Sequence, residues 1–105
     1  MTVFTASTAE GPQGTVVALV GECDLAARED LAATLRKALG TGRPVTIDAS
    51  GLTFLDSSGI HELVSAHHLA VRTGTTLWLT GATGVVANVL DMTGVSRLLS
   101  PQGPA

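Results

Sequence analysis

Strand-like and helix-like segments alternate along this chain, and that order restricts its fold more than any other feature. The strand-like segments are short and rich in β-branched or apolar residues, a composition that favours extended backbone. They are Val3–Ser7, Thr15–Val20, Val45–Ala49 and Thr75–Thr80, and the pattern allows a fifth at Val95–Leu99. The run Thr15–Val20 is almost uniformly apolar, so we predict a central strand that is covered on both faces.

The helix-like segments lie between the later strands and carry start and stop signals. Asp24 is an N-cap candidate for a first helix that ends at about Leu39. Its leucines recur every four residues, at Leu31, Leu35 and Leu39. A second helix is predicted from residues 56–59 to about Arg72, and its apolar face consists of Ile60, Leu63, Val64 and Val71. A third, shorter helix is predicted from the spacing of Val85, Val86, Val89 and Leu90, and Gly94 ends it.

Single helices between strands favour parallel strand pairing through right-handed crossovers. Only the first two strands, which are joined by the turn-rich segment 9–14, are expected to pair antiparallel. We therefore predict an α/β fold with a mixed, mostly parallel sheet of four to five strands, about three helices and an antiparallel first edge strand. Residues 1–100 are expected to form one domain and residues 101–105 a flexible C-terminal tail.

Composition excludes several classes of function. The 105 residues include 6 basic and 9 acidic side chains, a net charge of −3, so neither nucleic acid nor an anionic membrane is an expected partner. No apolar run reaches the ~18 residues of a membrane helix, and no signal peptide is recognisable, so the expected location is the cytoplasm. Cys23 is the one cysteine of the chain, so an internal disulfide is excluded. We interpret it as a small buried apolar residue.

The familiar catalytic and cofactor motifs are absent. The chain has no phosphate-binding loop, no GxGxxG segment and no nucleophile elbow around a serine. His61-Glu62 resembles the start of a zinc-protease helix, but Ser65 stands where the second histidine would be needed. His61 and His68 share a helix face but lie ~10 Å apart, too far to bind one metal ion. These patterns therefore predict no catalytic residues, no metal site and no cofactor.

The segment Asp56-Ser57-Ser58-Gly59 is the one polar cluster that needs an explanation. Asp and Ser at a helix start accept hydrogen bonds from free amide groups, so the cluster can be an N-cap. A second serine adds little to a cap, and a phosphate placed there would meet the positive end of the helix dipole. The residues alone leave both interpretations open, a structural cap and a phosphorylation site.

A longer pattern surrounds this cluster. The segment IDASGLTFLDSSGI at residues 47–60 resembles the signature of STAS domains, and in particular of bacterial anti-sigma factor antagonists. Three other segments are similar to the family in order and spacing, namely GECD at 21–24, the loop from Gly81 to Thr83, and VLDMTGVSRLL at 89–99. Together the four segments extend over almost the whole chain.

The resemblance implies a binding module that is not an enzyme and that phosphorylation controls. In this family the unphosphorylated antagonist binds an anti-sigma factor, which is also an ATP-binding serine kinase, and thereby releases a sigma factor. The kinase phosphorylates the serine after the aspartate, here Ser57 with Ser58 as the second candidate, and a serine phosphatase reverses the step. Asp56 would present the hydroxyl and Gly59 would leave room for the partner's backbone. The residues expected to contact the partner are Asp24, Asp56, Ser57, Ser58, Gly59 and Ile60.

A second function is compatible with the same resemblance. Some STAS domains are small subunits that dock on the ATPase of a lipid-transport ABC system, and variants of the DSSG segment occur in those subunits as well. Others are tails of anion transporters, which the absence of a membrane segment disfavours here. Genomic neighbourhood distinguishes the two remaining alternatives, since kinase and sigma factor genes indicate one and permease and ATPase genes the other.

Overall fold

A computed structural model describes residues 3–100 of the chain. The strands are β1 (Phe4–Gly11), β2 (Gly14–Cys23), β3 (Val45–Leu55) and β4 (Leu77–Thr80). The α-helices are α1 (Arg28–Leu39), α2 (Ser57–Thr73), α3 (Gly84–Met92) and α4 (Val95–Leu98), and a 3-10 turn covers Leu25–Ala27. The tail predicted at residues 101–105 lies outside the described residues.

The four strands form one sheet in the order β1-β2-β3-β4. β1 pairs antiparallel with β2 across the turn at Pro12-Gln13, and β2, β3 and β4 are parallel, as the sequence predicts. This antiparallel edge strand and the parallel remainder confirm the predicted α/β fold class.

β2 and β3 are longer than predicted because each continues through a glycine. We expected Gly21 to end β2 and Gly51 to begin a loop, but β2 runs to Cys23 and β3 to Leu55. The parallel register shifts near both glycines, which lie at irregularities of the ladder. Gly21 has φ +98°, and a Cβ there would lie 1.8 Å from the Val3 carbonyl oxygen. Only glycine therefore lets the start of β1 approach β2 so closely.

One face of the sheet is buried and the other is open. Val17, Leu19, Val45, Ile47 and Ala49 point into the core formed with the helices. The prediction that Thr15–Val20 is covered on both faces is wrong, because Val20 is 51% exposed and Val16 39%. The apolar run misled the prediction because β-branched residues favour a strand whether or not a second layer covers it.

The helix pattern was correct for α1 and partly wrong for α2. The α1 leucines Leu31, Leu35 and Leu39 are all buried, as expected. In α2, Ile60 and Val64 are half-buried, and Val71 is 64% exposed, so Val71 does not belong to the core-facing stripe. The buried positions of α2 are Gly59, Leu63, Ala66 and Ala70. Three of these four residues are small, which lets α2 lie close to its neighbours.

The predicted fifth strand is a helix. Val95–Leu98 forms the short helix α4, and Val95 and Leu99 are buried while the residues between them are exposed or half-buried. Burial at positions i and i+4 is helical spacing, whereas a strand would bury every second residue. The Leu79 N–H donates a 2.9 Å hydrogen bond to the Leu99 carbonyl oxygen, which brings the end of the described chain to the edge of β4.

Candidate functional site

The candidate site lies where β2 and β3 end. Cys23 and Leu55 are paired neighbours in the parallel ladder, and an aspartate follows each of them, Asp24 after β2 and Asp56 after β3. The two aspartates have nearly the same backbone conformation, with φ −112° and ψ −169° for Asp24 and φ −110° and ψ −173° for Asp56. Parallel strands thus bring two acidic residues, separated by about 30 positions in sequence, to one edge of the sheet.

Asp56 is the N-cap of α2. Its Oδ1 accepts hydrogen bonds from the backbone N–H of Ser58 at 2.9 Å and of Gly59 at 3.4 Å. Its own N–H donates to the Cys23 carbonyl oxygen at 3.3 Å, which ties the helix start to β2. The capping interpretation of the segment is therefore confirmed for Asp56, and the two serines are not needed for it.

Ser57 is the first residue of α2 and is exposed, as the sequence predicts for the helix start. Within residues 3–100, no side chain or backbone group hydrogen-bonds to its hydroxyl. Ser58 is half-buried. An exposed hydroxyl without an internal partner is accessible to another protein, so accessibility favours Ser57 over Ser58.

Gly59 has an internal packing role. It is buried, and a Cβ at this position would lie 2.5 Å from Leu55 Cδ1 and 2.8 Å from Cys23 Sγ. We expected this glycine to leave room for a partner's backbone, but the room it leaves is filled by the protein's own side chains. Glycine here lets the first turn of α2 rest on the ends of β2 and β3, and this contact determines where Ser57 stands.

Asp24 caps the 3-10 turn, since its Oδ1 accepts from the Ala27 N–H at 3.2 Å. Ile60 is half-buried and packs against the core. Two neighbours of the site were missed by the sequence analysis, namely Leu25, which follows Asp24 and is 67% exposed, and Phe54, which precedes Leu55 and is 39% exposed. The sequence carried a signal for each. Leu25 is an apolar residue next to a cap, and Phe54 is an apolar residue out of phase with the buried positions of β3.

Cys23 lies beneath the site as a buried thiol. Burial, and after it the negative charges of Asp56 and Asp24, raise the pKa of the Cys23 thiol from 9.0 to about 11. The thiol is therefore protonated at neutral pH and is a poor nucleophile. Both aspartates lie near the end of β2, since Asp24 follows Cys23 and the Asp56 N–H donates to the Cys23 carbonyl oxygen, so the site carries two acidic residues.

His61 is the histidine next to the site. His61 is exposed one helical turn after Ser57, and the adjacent Glu62 is engaged by Arg28, with Arg28 Nε 2.7 Å from Glu62 Oε2. In the part of the chain that the structure describes, no hydrogen bond links His61 to a serine or carboxylate, and no cluster of three or more His, Cys, Asp or Glu could hold a metal ion. Of the described helices, none has the length and apolarity required to cross a bilayer.

A protein-family comparison agrees with this geometry. The family model described as "Mlab, STAS domain" matches residues 6–100, which is nearly the whole chain and contains every residue of the candidate site. The chain belongs to the STAS domain family. This STAS domain has no significant match among curated proteins.

Solved structures with the same fold include anti-sigma factor antagonists. An anti-sigma factor antagonist from Mycobacterium paratuberculosis is 22% identical, with a TM-score of 0.78 over 94% of this chain and 86% of that chain. The antagonist SpoIIAA in its unphosphorylated form is 22% identical, with a TM-score of 0.73 over 90% and 83% of the two chains. The phosphorylated form of the Bacillus cell fate determinant SpoIIAA is 21% identical, with a TM-score of 0.67 over 89% and 85%. The STAS domain described here thus has a SpoIIAA-like fold.

Proposed function

We propose that this STAS domain is an anti-sigma factor antagonist whose binding is controlled by phosphorylation of Ser57. In the unphosphorylated state it binds an anti-sigma factor that is also an ATP-binding serine kinase, and a sigma factor is released. The kinase then phosphorylates Ser57, the complex dissociates, and a serine phosphatase restores the binding state. The observation that carries the proposal is the exposed Ser57 hydroxyl at the start of α2, which forms no hydrogen bond within residues 3–100.

The geometry of the cap indicates how a phosphate would act. Asp56 Oδ1 already accepts hydrogen bonds from the backbone N–H groups of Ser58 and Gly59. Its carboxylate belongs to the residue next to the Ser57 hydroxyl. A phosphate on Ser57 cannot use those two amides without displacing Asp56, so it would point away from the helix and towards a partner. The helix dipole contributes only about 0.3–1 kcal/mol, which repulsion from Asp56 offsets, so phosphorylation leaves the fold intact.

The effect of the phosphate is then expressed at the interface. Phosphoserine adds about −1.5 to −2 charges. One unit charge about 6 Å from an acidic group of the partner costs about 3 kcal/mol at an effective dielectric constant of about 20. Because about 1.4 kcal/mol corresponds to a tenfold change in affinity, phosphorylation is expected to weaken binding at least tenfold.

The remaining residues have supporting roles in this proposal. Asp24 and Asp56 hold the helical starts at the ends of β2 and β3, where the partner would bind. Leu25 and Phe54 supply exposed apolar area beside the two aspartates. Gly59 acts indirectly, since its packing against β2 and β3 positions Ser57.

The test compares the wild-type chain with Ser57→Ala, Ser57→Asp and Ser58→Asp in titrations against the cognate anti-sigma factor kinase. Wild type and Ser57→Ala should bind, and Ser57→Asp should bind at least tenfold more weakly. Ser58→Asp places a charge one residue away and is the matched control for charge alone. After incubation with ATP, intact mass should show one phosphate on wild type and none on Ser57→Ala.

Two outcomes contradict the proposal. One is unchanged affinity after stoichiometric phosphorylation. The other is no binding to any anti-sigma factor together with a stable complex with the ATPase of a lipid-transport ABC system, which would support the alternative function.

A further inference from the structure

The outer edge of β1 is an open strand edge of eight residues. Within residues 3–100, β1 has one strand neighbour, β2. The Glu22 N–H donates to the Val3 carbonyl oxygen, and Gly11 pairs with Gly14, so the odd-numbered residues of β1 direct their N–H and C=O groups towards β2. The even-numbered residues direct theirs to the open edge. These residues are Phe4, Ala6, Thr8 and Glu10.

β1 lacks the features that usually protect a sheet edge from pairing. It contains no proline and no lysine, and its register with β2 is continuous from Phe4 to Gly11. Its one ionisable side chain is neutralised within the chain, since Glu10 Oε1 lies 2.6 Å from Arg43 Nη1 and accepts from the Thr15 hydroxyl at 2.9 Å. We propose that this edge pairs antiparallel with β1 of a second copy of the chain, forming a continuous sheet across a two-fold dimer.

The hydrogen-bonding phase of β1 selects the register of this pairing. With the two-fold axis at Ser7, Phe4 lies opposite Glu10 of the second copy and Ala6 lies opposite its Thr8. All four outward-facing residues then exchange two hydrogen bonds with their partners. No residue meets a like charge, because each Glu10 faces a phenylalanine.

The distribution of charge favours this antiparallel arrangement. Phe4 lines a depression of about 170 Å³ together with three acidic residues, Glu22, Asp24 and Asp30. In the dimer the two Phe4 residues are six positions apart along the paired strands, or about 20 Å. That distance exceeds the Debye length of about 8 Å at physiological ionic strength, so the acidic ends do not repel each other. Parallel pairing would place them side by side.

A second copy suits this edge better than a foreign peptide. Peptides that add a strand to a sheet gain specificity from pockets for alternate side chains. The residues of β1 on the open sheet face are the small, exposed Thr5, Ser7 and Ala9, which form no such pocket. A two-fold dimer needs only the self-complementary register described above.

The expected dimer is weak and leaves the candidate site uncovered. Pairing along one eight-residue strand buries little surface, so the mass in solution should rise from monomer towards dimer between about 10 µM and 1 mM. β2 separates β1 from β3, and β3 leads into α2. The inference therefore does not depend on the proposed function, and each dimer would present two copies of Ser57.

Cysteine cross-linking tests both the dimer and its register. Ser7 lies on the axis and forms a non-hydrogen-bonded pair with Ser7 of the second copy, with Cα atoms about 4.5 Å apart, a separation that a disulfide can bridge. Ser7→Cys should therefore form a disulfide dimer under mild oxidation. Thr5→Cys and Ala9→Cys are matched controls on the same face, and each alone should form no disulfide dimer. Mixed together, these two should cross-link, because Thr5 lies opposite Ala9 of the second copy. Cys23 is fully buried and does not compete if free thiols are blocked before denaturation.

Sedimentation of uncross-linked protein completes the test. Thr8→Pro removes one outward-facing N–H and leaves the hydrogen bonds to β2 in place, so it should abolish dimerisation without a loss of cooperative melting. Wild type that stays monomeric up to about 1 mM would overturn the proposal. So would Ser7→Cys that cross-links no better than Thr5→Cys or Ala9→Cys alone.

Discussion

Replacing Gly59 by alanine should destabilise the protein, although alanine is the better helix former. A Cβ at this position would lie 2.5 Å from Leu55 Cδ1 and 2.8 Å from Cys23 Sγ, whereas carbon atoms in contact are about 3.5–4.0 Å apart. The first turn of α2 must therefore move by about 1 Å, or the two side chains must leave their positions. Overpacking of this kind costs about 1–3 kcal/mol, and helix propensity returns at most about 1 kcal/mol. We expect a net loss of about 1–2 kcal/mol in the free energy of unfolding.

The assay is urea denaturation at equilibrium, with thermal melting as a second measurement. A loss of 1 kcal/mol lowers the melting temperature of a domain of this size by about 4–8 °C. Gly40→Ala is the matched control, because Gly40 has helical φ of −66° and a Cβ there would lie 3.4 Å from the carbonyl oxygens of Arg36 and Lys37, an ordinary contact. That substitution should be neutral or stabilising by up to about 1 kcal/mol.

A double-mutant cycle connects the loss to the contact. Leu55→Ala removes the atom closest to the new Cβ, so Gly59→Ala should cost less in that background than in the wild type, with a coupling energy of at least about 0.5 kcal/mol. Gly59→Ala that is as stable as Gly40→Ala, or the absence of coupling with Leu55→Ala, would refute the packing role of Gly59.

Three further predictions concern the site and the core. Because burial raises the pKa of Cys23 from 9.0 to about 11, the folded state holds the proton more tightly. Wild type should lose about 2 kcal/mol of unfolding free energy as pH rises from 9 to 11, a loss that Cys23→Ala should not show in pH-dependent urea titrations. Asp56→Ala should lower the free energy of unfolding by about 0.5–2 kcal/mol. Asp56→Asn can still cap α2 and should stay within a few tenths of a kcal/mol of wild type. Equal losses in the two variants would contradict the capping role. Leu63→Ala should cost about 2–5 kcal/mol and Val71→Ala less than about 0.5, and similar values in thermal melts would contradict the assigned face of α2.

Local signals in the sequence predicted much of the fold. The β-branched runs identified all four strands, and the leucine spacing identified α1 with its correct end at Leu39. Gly74 ends α2 as expected, because its φ of +76° is a left-handed conformation that favours glycine. Crossover helices between strands implied the parallel sheet. These features depend on neighbours a few positions apart, which a sequence displays directly.

Other features depended on what lies across space. The apolar Val16 and Val20 look like core residues in the sequence. In the structure the buried residues of the helices pack against the other face of the sheet, so Val16 and Val20 are exposed. Val95 and Leu99 look like part of a strand until their burial shows helical spacing. The ends of β2 and β3 were predicted too early, because a glycine usually ends a strand. Here Gly21 lies inside β2 and Gly51 inside β3.

The candidate site divides in the same way. The sequence by itself determined that an aspartate and a serine begin α2, because capping is a local hydrogen-bonding preference that short segments reveal. Only the tertiary structure decided that Ser57 is exposed while Gly59 rests on Cys23 and Leu55, and that Asp24 lies beside Asp56. Those relations arise when parallel strands distant in sequence end at the same edge, so steric contact and electrostatic interaction across the sheet decide them.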